Sequence, residues 1–177
     1  GSNPQSQATS VDNESLRAGC VTRLQEADEQ IQYLDFYLPG LLESDDELGP
    51  VYTYLRDNDY ASCIYRASLV KAKVNAMLSA LSGNDDIKQL AGKKIVAAKK
   101  SLIRQTEKGE FPIISYSYYE YSNSLKQSDP PSALLFAEYA LELSNLDIYV
   151  KQGKAAAAQA LTATVVQSNS PSNPETY

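Results

Sequence analysis

Apolar residues recur at intervals of three and four along most of the chain, the spacing that gathers them on one face of an α-helix. No stretch alternates apolar and polar residues convincingly enough to predict a strand. Six helical segments follow from the pattern. The first is predicted over about 12–38, where Leu16, Cys20, Leu24, Ala27, Ile31, Leu34 and Leu38 form the stripe and Pro39-Gly40 ends it. A short second helix is predicted over about 41–56, closed by Asp57-Asn58-Asp59, whose side chains bond readily to nearby backbone amides. The third runs over about 60–81 with Cys63, Ile64, Ala67, Val70, Val74, Met77 or Leu78, and Leu81 inward, and ends at Ser82-Gly83-Asn84. The fourth starts at an Asn84/Asp85 cap and carries Ile87, Ala91, Ile95, Ala98 and Leu102 on one face. Lys93, Lys100 and Arg104 share another of its faces. The fifth, over 113–125, is predicted to turn Ile114, Tyr118, Tyr121 and Leu125 inward. The sixth opens with Asp129-Pro130-Pro131-Ser132, a cap followed by prolines tolerated in a first turn. It is predicted to continue toward Val166, with Gly153 as a kink or break.

The expected fold is therefore all-α, a bundle of five to seven helices built from repeat-like helical hairpins. One domain is predicted over 12–166. Gly1-Ser2 reads as a cloning scar, and the polar stretches 1–11 and 167–177 are predicted to be disordered. Two hairpins look alike, each with a Tyr-rich first helix, an Asp-containing turn and a second helix rich in small residues. SCIYRASLVKAK (62–73) lies over SALLFAEYALEL (132–143), matching the serines and placing Ala67 on Ala137. The second hairpin half-fits a tetratricopeptide unit, with Ala133 and Ala140 suitably spaced, but the Trp-x2-Leu-Gly signature is missing.

Composition narrows the chemistry. The 177 residues include no His and no Trp, so the commonest general base and metal ligand is missing, and neither a metal nor a cofactor is expected. A net charge of −6 argues against nucleic acid as the main partner. Charge is uneven: residues 1–49 carry a net −8, whereas 84–109 carry a net +4. The simplest expectation is that these segments pack near each other and their fields partly cancel. The basic segment, with Lys93, Lys100 and Arg104, could instead face an anionic surface such as lipid headgroups, or be an ordinary solvated face. No apolar run is long enough to predict a membrane span, so any anchorage of that kind would need segments other than these.

Three strings mimic catalytic or binding motifs. Ser68-Leu-Val-Lys71 has Ser-x-x-Lys spacing without its companion elements, and is expected to be an exposed pair on a helix. Gly92-Lys93 lacks the spacing and the Ser or Thr of a phosphate loop. Asp57-Asn58-Asp59 lacks the later Gly and Glu of a calcium loop. No catalytic residue is assigned. Cys20 and Cys63 sit on apolar faces of the first and third helices, as buried thiols in a reducing compartment or as a disulfide in an oxidising one. Tyr supplies 13 of the 16 aromatics, and YSYYEY places Tyr116, Tyr118, Tyr119 and Tyr121 within one and a half turns. They cannot all face one core. With Tyr139 they form either a helix–helix seam or an interaction surface for a peptide, a partner protein or a second copy.

The stretch GEFPIISYSYYEYSNSLKQSDPPSALLFAEYALELSNLDIYV (109–150) resembles the helical region that follows the proteolytic domain in archaeal Lon-like serine proteases. DNDYASCIYRASLVKAKVNAML (57–78) is similar to an earlier hairpin of the same region, and together the two cover about a third of the chain. In that family a Ser-Lys dyad in a separate α/β domain cuts the substrate, the serine standing in a Gly-Pro-Ser-Ala-Gly-like setting. Here Pro131-Ser132-Ala133 is preceded by Pro130 and followed by Leu134, so the dyad does not carry over and Ser132 reads as part of a helix cap. The resemblance implies a non-catalytic accessory domain of an exported or membrane-anchored protease, partnered by the protease domain of the same parent chain. The alternative is a free-standing tetratricopeptide-like module that binds peptides or a protein partner.

Overall fold

A computed structural model describes residues 4–83, 85–109 and 111–146, with side chains from residue 13 onward. All the regular structure among these residues is helical: α1 (Pro4–Tyr37), α2 (Ser44–Arg56), α3 (Tyr60–Ser82), α4 (Ile87–Glu107), α5 (Ile113–Leu125) and α6 (Pro130–Ser144). The six helices make two units of three. In the first, α1 and α2 pack on α3; in the second, α4 and α5 pack on α6. The units join chiefly where α3 lies against α6.

Two hydrophobic clusters form, one within the first unit and a smaller one where α3 meets the second. The larger takes Leu24, Ala27, Ile31 and Leu34 from α1, Leu48 and Val51 from α2, and Ile64, Ala67, Val70 and Val74 from α3. The smaller gathers Ala76, Ala91, Ala133 and Leu134. The apolar stripes of α1, α3 and α4 thus face the core as predicted, except at two ends. Leu38, just past the end of α1, and Leu81, in the last turn of α3, are exposed.

Caps explain several boundaries. Asp59 and Asp129 each accept a hydrogen bond from the amide of a serine three residues on, Ser62 and Ser132, both at 3.2 Å. This satisfies an amide that a helix start leaves unpaired. The matched serines of the two repeat-like segments therefore do the same local work, and the matched Ala67 and Ala137 are both fully buried. Pro39-Gly40 ends α1, Gly40 taking a left-handed φ of +75° while its amide donates to Asp35. Gly83 ends α3 differently, with φ −94°, so the left-handed glycine cap expected there is not used.

Helix α1 begins earlier than the predicted 12. It reaches back to Pro4, since proline fits a first turn and residues 5–11 contain no breaker. The disordered lead-in expected over 1–11 is thus helical from Pro4. Helix α2 starts at Ser44 rather than 41, after the extended Glu43, with Asp45, Asp46 and Glu47 favourably placed in its first turn. Helix α6 ends at Ser144 with Asn145 as its C-cap, short of the predicted run toward Val166; the break expected at Gly153 and the tail 167–177 lie outside the described residues.

The expected mutual cancellation of acidic and basic segments does not occur. Neither α1 nor α2 approaches α4, because α3 and α6 stand between them. The acidic and basic segments thus belong to different units and make no contact. Local pairs offset part of their charge: Lys73 with Glu47 in the first unit, Lys93 with Asp85 and Lys94 with Glu138 in the second.

Candidate interaction surface

Helix α5 is amphipathic in an unexpected sense. The residues it buries are Ser115 and Ser122, not the predicted Ile114 and Tyr121, which are exposed. The partner surface dictates this. Helix α6 presents Ala133, Ala137 and Ala140, and a helix lined with alanine admits a neighbour only if that neighbour is also small at the contact. Ser115 Oγ donates to the Ala140 carbonyl at 2.5 Å, and Ser122 Oγ donates to the Ala133 carbonyl at 2.6 Å. Seven residues separate each pair, in antiparallel order, so both serines satisfy their hydroxyls while letting the backbones close.

With small residues inward, the tyrosines are pushed to the flanks and the outer face. Tyr118 stacks on Phe136 with ring centroids 5.8 Å apart and meets Tyr139 edge-on at 5.2 Å. Its hydroxyl lies 3.0 Å from that of Tyr65 on α3. Burial, reinforced by the Tyr65 hydrogen bond, pushes Tyr118 up to about 12. Burial raises Tyr139 as well, against the nearby positive charge of Arg66. Tyr121 packs on the far side of Phe136, at 5.9 Å, and remains exposed. Tyr116 sits between Phe111 and Tyr119, and its hydrogen bond to Glu120 raises its pKa.

The five tyrosines singled out from the sequence fall into two aromatic groups: Tyr116 with Phe111 and Tyr119, and Tyr118, Tyr121 and Tyr139 around Phe136. Tyr118, Tyr119 and Tyr139 are half-buried, whereas Tyr116 and Tyr121 face outward. Between those two, Ser117, Glu120 and Ser124 floor an open depression of about 440 Å³. Sequence reasoning missed Phe136, on which Tyr118, Tyr121 and Tyr139 all converge, and Tyr65, which reaches in from the other unit. Phe136 had a signal: it lies three residues before Tyr139, on the same side of α6.

The motif mimics have structural occupations. Ser68 is fully buried, which corrects its reading as part of an exposed pair. Its hydroxyl accepts from Arg23 Nε at 3.0 Å and donates to the Ile64 carbonyl at 2.6 Å. Lys71 Nζ binds Glu26 at 2.9 Å and lies 3.8 Å from Glu142. Arg23, itself fully buried, bonds Glu26 at 3.1 Å and Glu142 at 3.0 Å. Asn75 donates to the other Glu142 oxygen at 3.1 Å. This charged knot ties α1, α3 and α6 together, and its serine and lysine are committed within it.

Gly92 lies inside α4 beside the Lys126 stem, far from any phosphate-loop geometry. Asp57, Asn58 and Asp59 form the α2–α3 turn, with Asn58 at φ +60° and accepting from the Tyr60 hydroxyl. Among the described residues no three His, Cys, Asp or Glu side chains gather as a metal ion would need. Cys20 and Cys63 form a disulfide across α1 and α3, their Cα atoms 5.6 Å apart and both residues fully buried. Lys93 is drawn to Asp85, while Lys100 and Arg104 stand exposed on the outer face of α4.

None of the described helices is long and apolar enough to cross a membrane. The fold places the chain among all-α helical bundles. No family model, curated protein or solved structure matches it.

Proposed function

We propose that this chain is a non-catalytic helical module that docks a partner protein through the aromatic face of α5 and α6. The observation that carries the reading is the aromatic arrangement of that face. Tyr118, Phe136 and Tyr139 interlock and support Tyr121 through Phe136, Phe111 and Tyr119 flank Tyr116, and Tyr116 and Tyr121 present exposed rings around an open depression. Rigid aromatics with a polar edge lose little freedom on binding and bury much area, the character of interface anchors. The commitment of Ser68 and Lys71 to the buried knot, and of Ser132 to the α6 cap, supports a non-catalytic role.

The resemblance of 109–150 makes the natural partner the protease domain of a Lon-like parent chain, with this module assembling or presenting rather than cutting. An extracytoplasmic setting accords with the Cys20–Cys63 disulfide, since such bonds persist in oxidising compartments. The test is binding of the purified chain to that protease domain. Tyr116→Ser with Tyr121→Ser is expected to weaken it at least tenfold, because both rings are exposed and anchoring aromatics carry much of an interface's energy, and a circular dichroism melt checks that the fold survives. Unchanged affinity would overturn the docking face. Casein hydrolysis by the chain alone, abolished by Ser132→Ala, would overturn the non-catalytic reading.

A free-standing peptide-binding module remains the second reading. It draws on the duplicated order of three helices and on the matching Asp–Ser caps of α3 and α6. It requires a bound peptide to contact Tyr116 and Tyr121 with no protease domain present.

A further inference from the structure

The turn from α4 to α5 exposes an unusual density of large apolar side chains. Phe111 is 62% exposed and Ile113 67%, with Ile103 and Ile114 close behind. Gly109, at φ +82°, makes the turn that carries Phe111 back toward the end of α4. There Leu102, Ile103 and Tyr119 line a largely apolar groove of about 290 Å³ with Phe111 and Tyr116, Lys99 and Glu107 also contributing to its walls. The outer face of α4 continues the patch, Val96 and Ile103 lying seven residues apart on one line. Four basic side chains frame it: Lys99 on one flank, Lys100 and Arg104 on the other, and Lys108 at the helix end, all exposed.

We infer that this end of the protein seats on an anionic lipid surface, Phe111, Ile113 and Ile114 entering the headgroup region while Lys99, Lys100, Arg104 and Lys108 meet the anionic groups. Two contrasts favour lipid. Bulky apolar groups at a turn, ringed by long basic chains whose stems can lie along them, match an interfacial anchor. The other exposed aromatic patch, Tyr33, Phe36 and Tyr37 at the end of α1, is flanked by exposed Asp35, Glu43 and Asp45 and would be repelled by the same surface. Over 99–113 the sequence carries Lys99, Lys100, Arg104 and Lys108 against Glu107 and Glu110, and among the described residues Glu107 and Glu120 are the exposed acids near the patch. The acidic α1 and α2 make no contact with α4, so seating on α4 and the α4–α5 turn does not require them to meet the bilayer. This contact needs no membrane-spanning helix.

The experiment is flotation of the full chain with phosphatidylcholine vesicles made with and without phosphatidylglycerol, at low and high salt. Partitioning is expected only onto the phosphatidylglycerol vesicles, and it should fall as salt rises. Lys100→Gln and Arg104→Gln should each lower it about fivefold. Phe111→Ser with Ile113→Ser should lower it at least tenfold, with an unchanged thermal melt because both positions face solvent. Tyr33→Ser with Phe36→Ser should leave it unaltered. Equal partitioning with and without phosphatidylglycerol, no partitioning, or insensitivity to the α4–α5 variants would each overturn the inference. So would a salt-independent dimer broken by Ile113→Ser, which would assign the patch to a second copy of the chain.

Discussion

Arg23 offers the sharpest perturbation of the fold. It has no exposed surface, and its guanidinium reaches Ser68 on α3, Glu26 on α1 and Glu142 on α6 at 3.0–3.1 Å. Arg23→Met keeps most of the apolar stem and removes the charge. Glu142, whose side chain is only 14% exposed, then keeps Asn75 at 3.1 Å and Lys71 at 3.8 Å, while Glu26 keeps Lys71 at 2.9 Å. Breaking a buried ion pair from one side costs about 3–5 kcal/mol, because the stranded charge stays desolvated. The surviving lysine places this case near the lower figure, about 3 kcal/mol. For a domain of this size that corresponds to a fall in Tm of roughly 6–12 °C. Urea unfolding followed by circular dichroism reads the loss, and an unchanged m value confirms that the folded state is intact. Arg23→Met combined with Glu142→Leu should recover at least half of it, since no stranded carboxylate remains on α6. A single variant within about 0.5 kcal/mol of the parent would refute the view that the knot holds the two units together.

Three further outcomes are expected. Reducing the Cys20–Cys63 bond, which spans 43 residues, should cost about 4 kcal/mol from the chain-entropy relation, and non-reducing mass mapping should recover the two cysteines in one linked peptide. Ser122→Leu should destabilise by about 1–3 kcal/mol and increase α5 amide exchange, because the side chain must fit against the Ala133 backbone; Ser122→Ala should cost about 1 kcal/mol. The pKa of Tyr118 is raised in the folded state, so the unfolded chain loses its phenolic proton first as pH rises. Stability should therefore be whole below pH 10 and fall between pH 10 and about 12, with Tyr118→Phe flattening that decline in melts recorded across the range.

Helices α3 and α4 were legible from spacing because their partners bury bulky aliphatics, and Ile64, Val70, Ile95 and Leu102 then dominate the pattern. Helix α5 was misjudged for the converse reason. Hydrophobicity ranks Tyr121 above Ser122, whereas the alanine face of α6 selects for small size. The heptad pairs Ser115–Ser122 and Ala133–Ala140 were the available signal. Arg23 also left a trace, falling on the inward line between Cys20 and Ala27, yet a lone arginine among acids reads as a solvated charge until its partners on α3 and α6 are in place. The separation of acidic from basic segments depends on α3 and α6 standing between them, a tertiary arrangement that local pattern does not encode.

The proposed role is that of a module serving a protease domain carried by the same parent chain. Sequencing the source locus upstream of the codon for Asn3 tests it most directly. An in-frame α/β domain bearing a serine–lysine pair is expected there. A start codon immediately before Asn3 would contradict it and leave the free-standing peptide-binding module as the reading.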